Sequence, residues 1–150
     1  MTLTSDDRWE INDLYARYAF GWDDADGQAF AAVFTPDGVF HRPEDPPLVG
    51  RAEIAAFVAE RAQIQPGIRH FTTNIVIEGD QDDTARGTAY VIALRIADDN
   101  VRIRAVGRYH DLLRRLDEGW RIADRKLELW LPRDLWDIPI MLDPAGSLPA

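Results

Sequence analysis

The sequence predicts an α+β fold in which helices come first and long antiparallel strands follow, and three observations carry that reading. Apolar residues in the first third recur at offsets of three and four, the helical period. From residue 69 onward the pattern changes to long runs rich in β-branched and aromatic residues. The breaks between those runs are short and turn-like, which joins neighbouring strands as antiparallel hairpins.

In the first helix, Ile11, Leu14, Tyr15, Tyr18 and Trp22 share one face. Ser5 or Asp6 is suited to cap its start and Asp26-Gly27 to end it. A second helix over residues 28–34 carries Phe30, Val33 and Phe34. Thr35-Pro36-Asp37-Gly38 reads as a turn, since proline presets φ and glycine tolerates positive φ. A short strand over 39–42 and a proline-rich loop over 43–47 follow. The third helix, 51–64, has Ile54, Phe57, Val58 and Ile64 as its apolar stripe, and Pro66-Gly67 stops it. Strands are expected at 69–78, 84–97, 101–116 and 120–131. The tail, 132–150, contains four prolines and is expected to be irregular. Its Trp136, Ile138, Ile140, Met141 and Leu142 are too apolar for a free tail and are expected to pack at a pocket mouth or a neighbouring subunit.

At 150 residues the chain fits one domain, 1–150, with a core of about 6–131. The absence of cysteine excludes disulfides, thiolate catalysis and Cys-ligated metal sites. A formal charge of −9 argues against nucleic acid and anionic membrane as partners, leaving a small molecule or a protein. No apolar run approaches the roughly 20 residues of a membrane span. Residues 1–7 are polar and acidic, unlike a signal or transit peptide, so a cytoplasmic location is expected.

Two residues stand out chemically. Glu10, Asp13, Arg17 and Asp24 occupy one charged arc of the first helix, roughly 60° wide, and Asp23 lies off it. A carboxylate on an otherwise buried face needs a partner. The bland alternative makes Asp23 part of a solvated acidic helix end. His70 opens a strand in which alternation places His70, Thr72, Asn74 and Val76 on one face and Phe71, Ile75 and Ile77 on the other. A few polar groups before apolar residues is the composition of a pocket wall; a satisfied core histidine or an edge strand is the alternative. His41 is expected at a pocket rim, while His110 and the adjacent Asp111 point to opposite faces. The three histidines lack metal-binding spacing, so no metal is expected. Tyr18, Trp22, Phe40, Phe57, Tyr90 and Tyr109 come from several elements, and a tyrosine hydroxyl in a shared cavity can bond a substrate oxygen.

The run Arg17-Tyr18-Ala19-Phe20-Gly21-Trp22-Asp23-Asp24-Ala25-Asp26 and the later Phe34-Thr35-Pro36-Asp37-Gly38-Val39-Phe40 resemble the start of SnoaL-like proteins of the NTF2-like superfamily. Gly50-Arg51-Ala52-Glu53-Ile54, Arg69-His70-Phe71-Thr72-Thr73-Asn74 and Gly107-Arg108-Tyr109-His110-Asp111 with Trp120 and Arg125 resemble their later motifs, in the same order over about residues 6–131. The resemblance implies a cone of three N-terminal helices packed on a curved antiparallel sheet around a pocket. Its nearest pattern is the branch containing scytalone dehydratase, hexachlorocyclohexane dehydrochlorinase and bile acid 7α-dehydratase. These share a helix-1 aspartate paired with a strand histidine, positions matched here by Asp23 and His70; Tyr18 matches a tyrosine of the bile acid enzyme.

The expected activity is cofactor-independent elimination, of dehydratase or dehydrohalogenase type, or isomerisation of a hydrophobic cyclic molecule. His70 is the expected base, Asp23 its partner and Tyr18 a donor to substrate oxygen. Trp22, Phe40, Phe57, Asn74, Tyr90, Tyr109 and Arg125 are expected to bind substrate, with Val39, Ile92 and Leu94 shaping the pocket. The alternative is a ligand-binding or subunit-like module without chemistry. A homo-oligomer, trimer or dimer, is expected in either case.

Overall fold

The structure, a computed structural model, describes residues 2–97 and 100–131 and the backbone of 138–139. Helix α1 spans Ser5–Asp23, and its cap is Thr4 rather than Ser5 or Asp6. The Thr4 hydroxyl accepts the Asp7 N–H while the Asp7 carboxylate accepts the Thr4 N–H. This reciprocal box needs an acid three residues past the cap, which Thr4 has and Ser5 and Asp6 lack. Asp7 also accepts from Trp120 Nε1 at 3.0 Å and pairs with Arg115, tying the helix start to the sheet. The Trp120 and Thr4 hydrogen bonds foremost hold its carboxyl down to about 2.

Helix α1 ends earlier than expected because Asp26 caps the next helix instead. It accepts the Ala29 N–H at 2.9 Å at the start of α2 (Gly27–Ala32), after Ala25 turns the chain at φ 60°. Gly21 lets α2 lie directly on α1, since a Cβ there would stand 2.6 Å from the Phe30 nitrogen. Phe34, expected in that helix, opens strand β1 (Phe34–His41), and the expected turn over 35–38 lies within it. Pro36 has no N–H for a ladder, so the strand bulges: Phe34 pairs with Ile122 and pairing resumes at Val39 with Asp124. A two-residue strand, β2 (Leu48–Val49), pairs with β1 before helix α3 (Gly50–Ile64). Ile54 and Val58 of the α3 stripe are buried, whereas Ile64 is exposed at the helix end.

Strands β3 (Ile68–Gly79), β4 (Thr84–Ala97), β5 (Asn100–Leu116) and β6 (Gly119–Leu129) form the expected antiparallel meander. β1 joins β6 in parallel, giving the order β2-β1-β6-β5-β4-β3 in a curved, open sheet with the helices packed on one side. In the tail, strand β7 (Ile138–Pro139) pairs with Arg102 and Ile103 of β5, a short ordered piece in a segment expected to be irregular. The side chains of Trp136, Ile138, Ile140, Met141 and Leu142, expected to pack, lie outside the described residues. Among the described residues no helix is long and apolar enough to cross a membrane.

At the centre of the core sits an ion pair. Arg125 of β6 and Asp111 of β5 face each other in register, both with fully buried side chains. Arg125 Nε donates to Asp111 Oδ1 at 2.8 Å and Nη2 to Oδ2 at 2.7 Å. Tyr15 of α1 donates to the same Oδ2 at 2.6 Å. The guanidinium carbon lies 4.0, 4.2 and 5.0 Å from the ring centres of Tyr109, Tyr18 and Tyr15, a cation–π cage. Arg125 Nη1 has no hydrogen-bond partner among the described residues, and the guanidinium that carries it lies against these rings. Burial opposes the arginine's charge, but Asp111 more than offsets it and its pKa is raised. Burial is also the first cause raising the pKa values of Tyr15, Tyr18 and Tyr109; Asp111 adds to it at Tyr15 and Tyr18 to it at Tyr109.

Two outcomes follow from this core. Arg125→Met leaves Asp111 charged and buried without its counter-ion, and urea denaturation is expected to show a loss of about 3–5 kcal/mol. The double variant Arg125→Met, Asp111→Leu is expected to recover much of it; equal damage in both would show that the pair is not what the core depends on. The tyrosines set the alkaline limit. Their folded pKa values lie above the unfolded 10.0, so their contribution is complete below pH 10 and is lost as pH rises beyond it. In a Tyr90→Phe background, tyrosinate absorbance should appear together with unfolding; its appearance in the folded protein near pH 10 would contradict this.

Candidate active site

The open face of the core holds a cavity of about 170 Å³ between the sheet and helices α1 and α3. Its walls are mostly apolar, with Tyr18, Trp22, Phe40, Phe57, Ile68, Val91, Ala93, Ala105, Tyr109, Leu127 and Leu129 in the lining. The polar lining is His70, Gln65, Asp45 and the arginines Arg42, Arg61 and Arg104. A concave apolar site with a few convergent polar groups is what small-molecule recognition requires.

His70 and Asp23 meet where the end of α1 touches the start of β3. His70 Nδ1 lies 2.7 Å from Asp23 Oδ1, and the two side chains are only 10% and 8% exposed. Asp23 also accepts the His70 backbone N–H, at 2.9 Å to Oδ2 and 3.2 Å to Oδ1. The carboxylate therefore grips both ends of one residue, which fixes the imidazole against the strand. With Asp23 ionised, Nδ1 donates to it and Nε2 is left as the basic nitrogen. The imidazole lines the cavity and the carboxylate stands behind it. Trp22 packs edge-on to His70 with ring centres 5.3 Å apart, and Tyr18 does so at 6.4 Å. Tyr18 and Tyr109, 5.4 Å apart, form the floor, with the Arg125 charge beneath them. Their raised pKa values keep both hydroxyls protonated, as hydrogen-bond donors, at ordinary pH.

Of the residues expected to bind substrate, Trp22, Phe40, Phe57 and Tyr109 line the cavity together with Tyr18 and His70. Asn74, Tyr90 and Arg125 do not. Asn74 is exposed at φ 55°, in a register shift between Thr73 and Val76 that reverses the alternation. That bulge turns Ile75 and Ile77 inward and leaves Val76 outside, so the two faces expected of β3 exchange after Thr73. Tyr90 lies on the outer face of β4, against Trp130 and Arg108, because its neighbours Ala89 and Val91 point inward. Ile92 is on that outer face for the same reason, 38% exposed, and Leu94 and Val39 are also outside the lining. Arg125 is fully buried under the floor, so it reaches the cavity only through Tyr18 and Tyr109. His41, expected at the rim, is not part of the lining and bonds Asp124 at 2.9 Å, and His110 bonds Glu128 at 2.8 Å on the surface.

Three arginines of the lining escaped the sequence reading. Arg61 left a usable signal: it follows Phe57 by four residues and Val58 by three, a cation on the apolar stripe of α3. Arg104 left none, because the register shift between Ala93 and Leu94 makes it the extra residue of β5, opposite neither of them, between Ile103 and Ala105. That shift puts both Arg104 and Ala105 in the lining. Among the described residues no group of three His, Asp or Glu side chains is placed to hold a metal ion.

Known proteins share this architecture. A provisionally assigned aromatic ring hydroxylase from Novosphingobium aromaticivorans is 31% identical, with 87% of this chain and 94% of that one covered and a TM-score of 0.77. An NTF2-like protein with a cystatin-like fold from the same species is 28% identical over 83% and 82% of the two chains, TM-score 0.76. A Mycobacterium tuberculosis protein of unknown function is 27% identical over 97% of this chain and 84% of its own, TM-score 0.77. No curated protein gives a significant sequence match. Residues 4–126 match the model of the SnoaL-like domain, a span running from the cap of α1 into the last long strand. The match thus covers the helices, most of the sheet and all of the cavity lining but Leu127 and Leu129, and the chain belongs to the SnoaL-like family of the NTF2-like superfamily.

Proposed function

We propose that this protein is a cofactor-independent lyase or isomerase that removes a proton from carbon in a hydrophobic cyclic substrate. One observation carries the reading: a largely covered histidine held by an aspartate at 2.7 Å, its ring in the wall of an apolar cavity. Nε2 of His70 takes the proton, and the electron pair of the broken C–H bond forms a C=C bond as hydroxide or halide leaves the adjacent carbon. In an isomerisation the same proton returns at another carbon. Asp23 fixes the tautomer and stabilises the imidazolium that forms. Tyr18, with Tyr109 beside it, donates to the leaving group or to a carbonyl oxygen, and the charge of Arg125 below strengthens that donation. The likeness to a chain provisionally assigned as an aromatic ring hydroxylase fits a ring compound as ligand.

Incubation with polycyclic alcohols, ketones and haloalkanes in heavy water, read by mass spectrometry, tests the reading. Wild type is expected to eliminate water or halide, or to introduce deuterium. Asp23→Asn should lower turnover by about 10²–10⁴-fold with the fold retained, and His70→Ala should abolish it. Unchanged turnover in Asp23→Asn would dismiss the pair. Binding without any change in ligand mass would instead make the protein a ligand-binding module.

We also propose that the chain is a homo-oligomer. The outer sheet face carries Phe71 opposite Ile92, 54% and 38% exposed, with Trp130 45% exposed nearby across β5, an apolar surface that suits a second copy. Sedimentation velocity should show a dimer or trimer that Phe71→Glu weakens; a monomeric wild type would refute this.

A further inference from the structure

The charge of the cavity is opposite to that of the protein. The chain carries a formal −9, yet the charged groups of the lining, besides His70, are three arginines and one carboxylate, Asp45. Asp45 pairs with Arg42 at 3.4 Å. Arg104 is held at 3.0 and 3.2 Å by the side-chain oxygen of Gln65, which directs its fork. Arg61 differs from both. Among the described residues it has no carboxylate within ion-pair distance, and its guanidinium lies 5.4 Å from the centre of the Phe57 ring. It is half-buried on the apolar stripe of α3, within cation–π reach of a ring that Arg42 also approaches, at 4.1 Å. Placing a cation against an apolar wall costs desolvation that an anion from the ligand would offset. The shape of the site supports this, since Phe57 packs on Trp22 and Trp22 on His70, so aromatic surface runs from Arg61 to the basic nitrogen.

We propose that the cavity takes a ring compound bearing a carboxylate, and that Arg61 is the specificity-determining residue that receives the carboxylate. This rests on the cavity being the substrate site, as proposed above, but not on any chemistry at His70. A planar guanidinium meets a planar carboxylate with two parallel N–H···O bonds, a match that a neutral amide or ester cannot reproduce. The apolar ring then lies along Phe57 and Trp22 with its reacting carbon towards His70. Arg61 thus orients the substrate, and the cationic lining draws an anion into an acidic protein that would otherwise repel it.

The test is calorimetric titration with 1-naphthoate and with the isosteric neutral 1-naphthamide, and with benzoate and benzamide as a smaller pair. None of these carries a leaving group, so binding is read whether or not the protein catalyses elimination. Wild type is expected to prefer the acids by about tenfold or more. Arg61→Gln should bring the acid-to-amide ratio close to one, and Arg61→Lys should restore it in part. Equal affinities in wild type, or no binding of either acid, would overturn the proposal. So would a preference that survives in Arg61→Gln, which would place the carboxylate on another arginine. Acid selectivity lost with Arg61, but with neither elimination nor deuterium exchange on any substrate, would leave this proposal standing and remove the proposed catalysis.

Discussion

The fully buried Arg125–Asp111 ion pair is the constraint on which the rest of this structure depends. Two charges withdrawn from water are costly, and they are tolerated only where geometry and hydrogen bonding are nearly complete. Here β5 and β6 place the pair directly across from one another, two parallel hydrogen bonds join it, and Tyr15 brings α1 onto it. Any slip of register between these strands, or of α1 along the sheet, would strand a charge in the core. The pair therefore specifies how helix and sheet meet as well as holding them together. Space is fitted to it: a Cβ on Gly87 would collide with the Tyr15 hydroxyl.

The cavity inherits its chemistry from that core. Tyr18 and Tyr109 cover the guanidinium on one side and form the cavity floor on the other. Burial keeps them protonated while the cation beneath polarises them, so the floor is made of neutral donors backed by a positive charge. Because Tyr15, Tyr18, Trp22 and Asp23 all lie on α1, fixing that helix against the ion pair also sets where its last turn meets β3. Asp23 then clasps the backbone and the ring of His70 together. In the proposed role of base, a residue held at both main chain and side chain would lose little entropy on acting, which is what preorganisation means physically.

Irregularities in the strands decide which side chains see the ligand. The bulge at Asn74 exchanges the faces of β3, so the polar face expected to continue past His70 and Thr72 ends there. The shift at Arg104 adds a guanidinium to the cavity, and the bulge around Pro36 returns Phe40 to the lining after an exposed excursion. Each is a single-residue or few-residue insertion with large consequences, since the side-chain period of a strand is two and one extra residue inverts everything after it.

By itself the sequence determined the order of helices and strands and the apolar face of α1, and it singled out Asp23 as a carboxylate off the charged arc of that helix and His70 as part of a polar strand face. These are local properties: periodicity, turn chemistry and charge placement act over a few residues and are legible without tertiary contacts. Even there, caps shifted by a residue, because Thr4 rather than Ser5 has Asp7 in reach. Tertiary structure alone decided that Arg125 lies beneath the floor instead of in the cavity, that Tyr90 and Asn74 face away, and that β1 pairs in parallel with a strand more than eighty residues later. It also brought Arg42, Arg61 and Arg104 to one cavity from a loop, a helix and a strand. Register, bulges and the packing of distant elements arise from long-range contacts and from the cost of burying charge unpaired, and no local pattern in the chain encodes those.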